Sequence, residues 1–384
     1  MLSTILPAAG VQIVPNFFMF PAHSSHIYAR QRLALAAVTT AWPGHQRFAV
    51  APRQASDEEQ QEFAAYLAGQ GLAGHWLARL RQESVDGDSL FIAALRQREK
   101  IDAMRYLGQR RTIGVVAERF SEQKIPYAVM KGAHVRELLY ANPAIRPSVD
   151  IDILIAPPDR FKAVELLARA GFSPRINPAT VSHEVSLADN LASIDLHWDI
   201  LRPGRACRAL AGDMLARRQR CQDFVALRPE DELFLLLFHP VFSKYLTTPH
   251  ARLANIADLV IWGQRLPIDW QELCRLCVRH HFTTAAWLTA SYLRLLTDSP
   301  VFDDFIATMR PNALKAAWLQ QWLDKNFSSR FLDQAWLIQF FFTLPAHDRC
   351  RDALRFLLVR ESKRFKAGEE CQRLRQAAIQ AMKD

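Results

Sequence analysis

The sequence predicts an α+β fold, in which a mixed sheet with flanking helices lies between N- and C-terminal helical regions. Apolar residues recur every three or four positions from about residue 57 to 120, and again from residue 229 onward, which is the spacing of helices. Between these stretches, short runs of branched aliphatic residues alternate with Pro and Gly, which is typical of strands and turns. We therefore predict a mostly helical region at 1–120, a sheet-containing core at 121–204 and a helical domain at 205–384.

Composition indicates a folded chain with an anionic partner. Half of the 384 residues are hydrophobic and 23% are charged, which excludes an intrinsically disordered protein. The formal net charge of +9 leaves a nucleotide, a nucleic acid, an acidic peptide or a membrane surface as alternatives. Basic residues gather at 202–220 and at 349–375, but acidic residues interrupt the second stretch.

We predict a cytoplasmic protein with no membrane span. The longest apolar runs, such as ELFLLLF and WLIQFFF, are too short to cross a bilayer. The apolar N-terminus lacks a basic region and is broken by Pro7 and Pro15, so we do not interpret it as an export signal. The six cysteines show no compact disulfide framework, which favours reduced thiols.

The first predicted strand follows a series of predicted helices. Residues 28–40, YARQRLALAAVTT, and three segments within 57–120 have helical spacing. KIPYAVMKG then changes the pattern, because its proline ends a helix and Tyr127–Met130 is a short buried run closed by Lys131 and Gly132. AHVRELLY resumes helical spacing, and ANPAIRP breaks it.

Three further strands surround one helix. VDIDILIA, residues 149–156, reads as a strand, and PDRFKAVELLARAGF is a helix that begins near Pro158 and ends at Gly171. VSHEVSL, residues 181–187, and SIDLHWDI, residues 193–200, are the next two strands.

Two cysteines close to two histidines raise the question of a zinc site. In CRLCVRHH, Cys274 and Cys277 stand three apart, with His280 and His281 behind them. The surrounding residues have the spacing of one helix, on which the cysteines share a face, and no second Cys/His pair of matching spacing occurs in the sequence. We therefore interpret the pair as structural.

Two aspartates lie in the most β-prone run of the chain, RPSVDIDILI. Side chains alternate across a strand, so Val149 and the three isoleucines would face a core, while Asp150 and Asp152 would lie together on the other face. Two neighbouring carboxylates repel each other unless a cation lies between them, and Mg²⁺ accepts one or two carboxylates together with water and phosphate. The alternative is a pair of solvated aspartates on an edge strand.

The strand SIDLHWDI has a similar pattern. Its apolar face ends at Trp198, and its other face carries Asp195, His197 and Asp199. If this strand lies beside the first, Asp195 becomes a third carboxylate, which either helps to hold metal or accepts a proton from an attacking hydroxyl. His197 would then contact phosphate or metal-bound water, or it has a purely structural role.

A phosphate site is predicted where the first strand ends. Gly132 lies at the start of a helix, where free backbone N–H groups favour an anion, and Lys131 adds a positive charge. Arg146 either binds a triphosphate oxygen or pairs with the aspartates. Further candidates for the pocket, each with a structural role as the alternative, are His183, Glu184, His239 and Lys244.

These motifs resemble those of the large, little-characterised nucleotidyltransferase family within the DNA polymerase beta superfamily. The resemblance extends from KIPYAVMKGAHVRELLY through RPSVDIDILI to IDLHWDI, and continues in LRPEDELFLLLFH and ANIADLVIW. It covers roughly residues 100 to 265. One departure is Lys131-Gly132-Ala133, which stands where the superfamily usually has Gly-Ser or Gly-Gly.

The resemblance implies a polymerase-beta-like core that transfers a nucleoside monophosphate from an NTP, with ATP favoured, and releases pyrophosphate. It implies catalytic and metal-binding roles for Asp150, Asp152 and Asp195, with Mg²⁺ as the metal and Mn²⁺ as an alternative. Lys131, Gly132, Arg146 and His197 would bind the nucleotide phosphates. A peptide, a protein or a small molecule is the expected acceptor.

Two other functions remain open at this stage. The first is an RNA-directed nucleotidyltransferase or toxin, which the basic stretches favour, although no RNA-binding module is recognisable. The second is a nucleotide-binding scaffold without turnover, against which the three filled acidic positions argue.

Overall fold

A computed structural model of the chain describes residues 27–39, 56–85, 89–175 and 183–381. Its α-helices are α1 (Ala29–Leu35), α2 (Asp57–Gln70), α3 (Ala73–Gln82), α4 (Leu90–Glu122), α5 (Gly132–Leu139), α6 (Arg160–Arg169), α7 (Ala211–Ala216), α8 (Pro229–Lys244), α9 (Leu253–Arg265), α10 (Trp270–His280), α11 (Thr283–Thr297), α12 (Asp303–Met309), α13 (Ala313–Asp324), α14 (Phe327–Arg330), α15 (Ala335–Ile338) and α16 (Cys350–Ala381). Its strands are β1 (Tyr127–Met130), β2 (Ile151–Ile155), β3 (Ser173–Arg175), β4 (Glu184–Ala188), β5 (Ser193–His197), β6 (Gln219–Cys221) and β7 (Phe224–Ala226).

Local sequence signals explain where several helices begin. Ser56 caps α2, and Glu59 completes a capping box by bonding back to the Ser56 backbone. Ser89 caps α4 in the same way through the backbone N–H of Ile92. Pro229 stands at the first position of α8, where its missing N–H is not needed.

The seven strands form one mixed sheet in the order β3-β4-β5-β2-β1-β7-β6. Strand β2 pairs antiparallel with β1 and parallel with β5, so the two strands that carry the aspartates are neighbours in the centre of the sheet. This adjacency confirms the strand pairing on which the third carboxylate depends. Strands β1, β2 and β5 fall within predicted runs, and β4 extends one residue past its predicted end at Leu187. An α+β fold with flanking helices is confirmed.

The predicted strand at 149–156 is too long at its N-terminal end. The backbone reaches extended pairing only at Ile151, and Val149 is 50% exposed, so its predicted place in the core is wrong. Ser148 explains this, because its hydroxyl donates to the carbonyl of Asp150 and holds the preceding residues in a turn. Asp150 therefore lies immediately before the strand, whereas Asp152 lies within it.

The sheet separates two cores. The isoleucines of β2 lie with Leu196 on one face, which is covered by α4, α6 and α16. Leu154 and Met130 point to the other face and pack with α5, α8 and the remaining helices. The alternation of the two central strands therefore places the aspartates on the face that carries α5 and α8.

Two short strands lie beyond the predicted sheet region. Strand β7 pairs parallel with β1, and β6 pairs antiparallel with β7, so the sheet continues to residue 226. Both strands lie within the range 205–384 that we predicted as a helical domain, and the sequence analysis did not recognise them. The division into three regions at 120 and 204 stays a prediction.

Three sequence predictions fall wholly or partly on residues that the structure does not describe. The apolar N-terminal segment before residue 27, the end of the predicted helix at residue 40 and the first two residues of the predicted strand at 181–187 lie outside the described residues. Within the described residues, no helix combines the length and the apolar character needed to cross a membrane.

Candidate active site

A cleft of about 400 Å³ lies where β1, β2 and β5 meet α5, α8 and the turn before α9. All but one of the predicted site residues line it: Lys131, Gly132, Arg146, Asp150, Asp152, His183, Glu184, Asp195, His239 and Lys244. The exception is His197, which is 1% exposed and lies against Asp152. Residues up to 113 positions apart in the sequence therefore meet at one place.

The three aspartates converge at this cleft. Asp152 and Asp195 are register partners in the parallel pair β2–β5, and their carboxylate oxygens lie within 4.8 Å of each other and of a His197 ring nitrogen. Asp150 lines the same cleft, and the charges of Asp152 and Asp195 both raise its pKa. Ser186 on β4 donates to Asp195 at 2.6 Å, which fixes the direction of that carboxylate.

The pKa values of Asp150 and Asp152 are shifted in opposite directions. Burial, followed by the charges of Asp152 and Asp195, raises the pKa of Asp150 to about 7. Burial also opposes the charge on Asp152, but Lys131 and His197 outweigh it and hold the pKa of Asp152 well below its usual range. A group of carboxylates that cannot all ionise without a positive partner fits a divalent cation with oxygen ligands.

Lys131 supplies a positive charge at the same point. Its Nζ donates to Asp152 Oδ1 at 2.7 Å and lies 3.4 Å from His197 Nε2, which itself lies 2.9 Å from the same oxygen. Burial alone would lower the pKa of Lys131, but the charge of Asp152 raises it. Lys131 is therefore a cation, and in this structure its partner is the carboxylate.

The backbone at Lys131 adopts an unusual conformation. Its φ of 54° and ψ of −140° are rare for a residue with a side chain, and such strain costs on the order of 1–3 kcal/mol. The Lys131 N–H donates to Glu232 Oε1 at 2.8 Å, and Glu232 Oε2 lies 2.8 Å from His134 Nδ1. Both partners of this ion pair are buried, so a pair between α5 and α8 holds the strained turn in place.

Gly132 lets two side chains approach the same turn. A Cβ at this position would lie 2.5 Å from a guanidinium nitrogen of Arg146 and 2.6 Å from the Ser148 hydroxyl. Among the described residues, no acceptor takes the backbone N–H of Gly132 or Ala133. These two groups begin α5, where the helix dipole favours an anion.

Arg146 pairs with neither Asp150 nor Asp152. Its guanidinium makes bonds of 3.1 and 2.5 Å to Asp258 Oδ2 and a further bond of 3.2 Å to Asn255, both on α9. Of its two predicted roles, support of the aspartates by ion pairing is therefore not observed.

The four pocket candidates divide into two groups. His183 and Glu184 lie next to His197, with Glu184 Oε2 3.4 Å from His183 Nε2 and 3.2 Å from His197 Nδ1. His239 and Lys244 lie on α8 across the cleft. Burial, followed by the charge of Lys131, holds the pKa of His239 well below its usual range, so this ring is neutral.

Sequence reasoning missed several lining residues, namely Ser148, Arg202, Arg205, Ser243, His250, Arg252 and Asn255. Arg202 and Arg205 belong to the basic stretch at 202–220, and their position directly after β5 was the signal that could have placed them here. Arg252 carried no sequence signal. Its φ of 22° sets the turn that brings α9 to the cleft.

The cysteine motif lies elsewhere. Cys274 and Cys277 are both on α10, as the helical spacing predicts, and both are free thiols. In the described part of the chain, neither belongs to a group of three residues whose ligand atoms are close enough to share a metal.

Two parallel strands carry paired aspartates beside a glycine turn that starts a helix, which is the arrangement that the resemblance to nucleotidyltransferases implies. The model of a family described as uncharacterised nucleotidyltransferase matches residues 56–298. This match covers more than half of the chain, so the chain belongs to that nucleotidyltransferase family, and a general role in nucleotidyl transfer follows. No curated protein and no solved structure matches the chain.

Proposed function

We propose that this protein is an Mg²⁺-dependent nucleotidyltransferase that moves a nucleoside monophosphate from an NTP to an acceptor and releases pyrophosphate. The observation that carries the proposal is the register of Asp152 opposite Asp195, with the Lys131–Gly132 turn at the end of the adjacent strand β1. Asp150, Asp152 and Asp195 would hold Mg²⁺, or Mn²⁺ in its place. The metal would supply charge neutralisation at the phosphates.

The side chains would then act in the following way. The backbone N–H groups of Gly132 and Ala133 bind phosphate oxygens, and Lys131 moves from Asp152 to the triphosphate. The acceptor hydroxyl or amine forms a bond to the α-phosphorus and gives its proton to Asp195, while the bond to the pyrophosphate oxygen breaks. Catalysis depends on positioning and charge stabilisation and uses no covalent enzyme intermediate.

The cleft has cations available for the triphosphate. Arg202, Lys244 and Arg252 line it, and within the described residues none of the three forms an ion pair. We propose ATP as the donor and a small molecule, a peptide or a protein as the acceptor. His197, which is buried beneath Asp152, would act on the phosphates only through that carboxylate.

The first experiment is a calorimetric and thermal-shift titration of the wild type with ATP, GTP, CTP and UTP, with and without Mg²⁺. The matched variants are Asp150→Asn combined with Asp152→Asn, and Asp333→Asn as a control on an exposed carboxylate. We expect Mg²⁺-dependent binding of one triphosphate by the wild type and the control, and loss of binding in the double variant. Equal binding by the double variant would show that the aspartates hold no metal.

Pyrophosphate release separates transfer from binding alone. The triphosphate that binds is incubated with the protein and candidate acceptors, and pyrophosphate is measured. Release that requires an acceptor supports a transferase. Tight binding without release for any acceptor supports the nucleotide-binding scaffold.

RNA as the acceptor is a second candidate, which one observation favours. A groove of about 430 Å³ continues from the cleft past Lys244, His250 and Arg252, and none of its described lining residues is acidic. A long polyanion would bind several such cations, and its binding would fall steeply with salt, whereas a small acceptor would give a shallow dependence. Activity on RNA measured from 50 to 200 mM salt distinguishes the two.

A further inference from the structure

His183, Glu184 and His197 form a second cluster of ligand atoms beside the carboxylate site. Glu184 Oε2 lies 3.4 Å from His183 Nε2 and 3.2 Å from His197 Nδ1. Each of the three residues offers one ligand atom such that these atoms all lie within 4.8 Å of one another. In a tetrahedral zinc site with bonds of about 2.0–2.1 Å, neighbouring ligand atoms lie about 3.3 Å apart. Both measured edges have this length.

His197 has a ring nitrogen that lacks a hydrogen bond. Its Nε2 lies 2.9 Å from Asp152 Oδ1, while Nδ1 is buried and makes no hydrogen bond, since its contact with Glu184 lacks the required alignment. If Nε2–H donates to Asp152, the lone pair of Nδ1 faces a carboxylate oxygen, and two electron-rich atoms at this distance repel unless a cation lies between them. Metal-binding histidines characteristically donate their other N–H to a carboxylate.

We propose that His183 Nε2, Glu184 Oε2 and His197 Nδ1 form a transition-metal site of the Zn²⁺ class, separate from the three-aspartate site. Imidazole nitrogens favour Zn²⁺, whereas Mg²⁺ favours oxygen ligands. Three protein ligands leave a fourth position, and His183 and Glu184 both line the cleft, so this position is open to it.

Metal at this site would also affect the neighbouring carboxylate, because His197 contacts Asp152. Metal at this site would fix the His197 tautomer and ring orientation, and through Nε2 it would orient Asp152. The transition metal would therefore have a positioning role for the carboxylate site.

The test uses the full chain after treatment with a chelator. Zn²⁺ affinity is measured by competition with a chromogenic chelator, and Co²⁺ is added separately because a tetrahedral site with nitrogen ligands gives strong visible absorption. We expect one site in the wild type and a loss of affinity of about tenfold or more in His183→Gln and in Glu184→Gln. Asp150→Asn and Cys274→Ser are the matched controls and should keep the Zn²⁺ site.

Three results would overturn the proposal. The first is equal Zn²⁺ affinity in the wild type and in both ligand variants. The second is loss of the site in Cys274→Ser, which would place the metal on α10. The third is no Zn²⁺ binding by the wild type, in which case the contact between His197 and Glu184 is not a metal site.

Thermal unfolding shows whether the two ligand variants still fold when no metal is bound. In chelator, His183→Gln and Glu184→Gln should unfold at temperatures close to that of the wild type, and added Zn²⁺ should raise the Tm of the wild type but not that of these two variants. Asp150→Asn separates this proposal from the proposed function, because it should lose Mg²⁺-dependent nucleotide binding while it keeps the Zn²⁺ site. Zn²⁺ binding without any nucleotide binding would support the metal site and count against the transferase.

Discussion

Gly132 determines the shape of the turn between β1 and α5. The Arg146 guanidinium and the Ser148 hydroxyl both lie against the position where a Cβ would stand. Arg146 cannot withdraw, because Asp258 binds it from the opposite side. The turn therefore requires glycine for lack of space, although its own φ is ordinary.

We predict that Gly132→Ala destabilises the protein by about 1–3 kcal/mol, because the added methyl group overpacks a rigid site. It should also abolish Mg²⁺-dependent triphosphate binding, since the N–H groups of the turn would move. The control is Gly114→Ala, which lies on the exposed face of α4 with open space around its Cβ position and should stabilise the helix by about 0.5–1 kcal/mol. Urea unfolding and nucleotide titration measure both effects, and similar behaviour of the two variants would refute the packing argument.

The raised pKa of Asp150 makes the stability of the metal-free protein depend on pH. A carboxyl whose pKa is raised to about 7 by folding stabilises the native state below its ordinary pKa near 4, and this contribution is lost as the pH rises through 7. We therefore expect Asp150→Asn to be more stable than the wild type by about 1–3 kcal/mol at pH 8, with a smaller difference at pH 5.

Urea unfolding in the presence of a chelator, at pH 5 and pH 8, tests this expectation. The difference between variant and wild type is the useful quantity, because folding also shifts the pKa values of His134 and His183 and so makes their own contributions to stability depend on pH. Asp333→Asn removes an exposed carboxylate and should show no such pH-dependent difference. A difference for Asp150→Asn that is the same at both pH values would contradict the predicted repulsion.

At the scale of elements, α5 and α8 are joined by the buried pair of His134 and Glu232. Glu232 stands in the first turn of α8, where an acidic residue ordinarily faces solvent and interacts with the helix dipole. Here it is fully buried and bonds to both His134 and the Lys131 backbone. Burial alone would lower the pKa of His134, but its bonds to Cys221 and Glu232 raise it to about 9.

Removal of the Glu232 carboxylate should therefore lower the free energy of unfolding and weaken nucleotide binding. We predict that Glu232→Leu costs about 3–5 kcal/mol, because it leaves a buried charge without its partner. Glu232→Gln should cost less, since its amide oxygen can still accept from the Lys131 N–H. Glu230→Gln in the same turn breaks a partly exposed pair with Arg228 and should change stability by less than about 1 kcal/mol.

Unfolding measurements at pH 7 and pH 10 complete this test. The pair stabilises the fold fully below the ordinary histidine pKa near 6.5 and loses that contribution as the pH rises through 9. The stability difference between wild type and Glu232→Leu should therefore shrink at pH 10. An equal difference at both pH values would show that the charge on His134 does not contribute.

The sequence could predict the central elements because their signals are local. The alternation in Ile151–Ile155 and Ser193–His197 fixed which side chains share a face, and the glycine turn between Met130 and α5 was recognisable from residue type. Asp152 and Asp195 could therefore be placed together before the structure was known.

The elements that could not be predicted lack such signals. Strands β6 and β7 have three residues each, too few to show a period, and Arg and Gln obscure the first of them. The pairing of Arg146 with Asp258 joins residues 112 positions apart, and several other acids offered equivalent partners. Only tertiary packing distinguishes between them.

At the scale of the whole molecule, α16 packs over one face of the sheet, although it lies outside the residues that match the family. The match ends at residue 298, whereas α16 packs against α6 and covers the isoleucine face of the sheet. Arg160 on α6 and Glu370 on α16 form an ion pair of 2.6 Å beside this contact. The core under β2 and β5 therefore depends on the last helix that the structure describes.

Two leucines on α16 allow a matched test of this dependence. Leu374 is fully buried in the core beneath the sheet, whereas Leu358 is 75% exposed. We predict that Leu374→Ala costs about 2–5 kcal/mol through lost burial and a cavity, while Leu358→Ala stays within about 0.5 kcal/mol of the wild type. Because the aspartates face the opposite side of the sheet, nucleotide affinity per folded molecule should be unchanged in both variants. Urea unfolding and triphosphate titration measure these effects, and equal stability of the two variants would mean that α16 does not support the sheet.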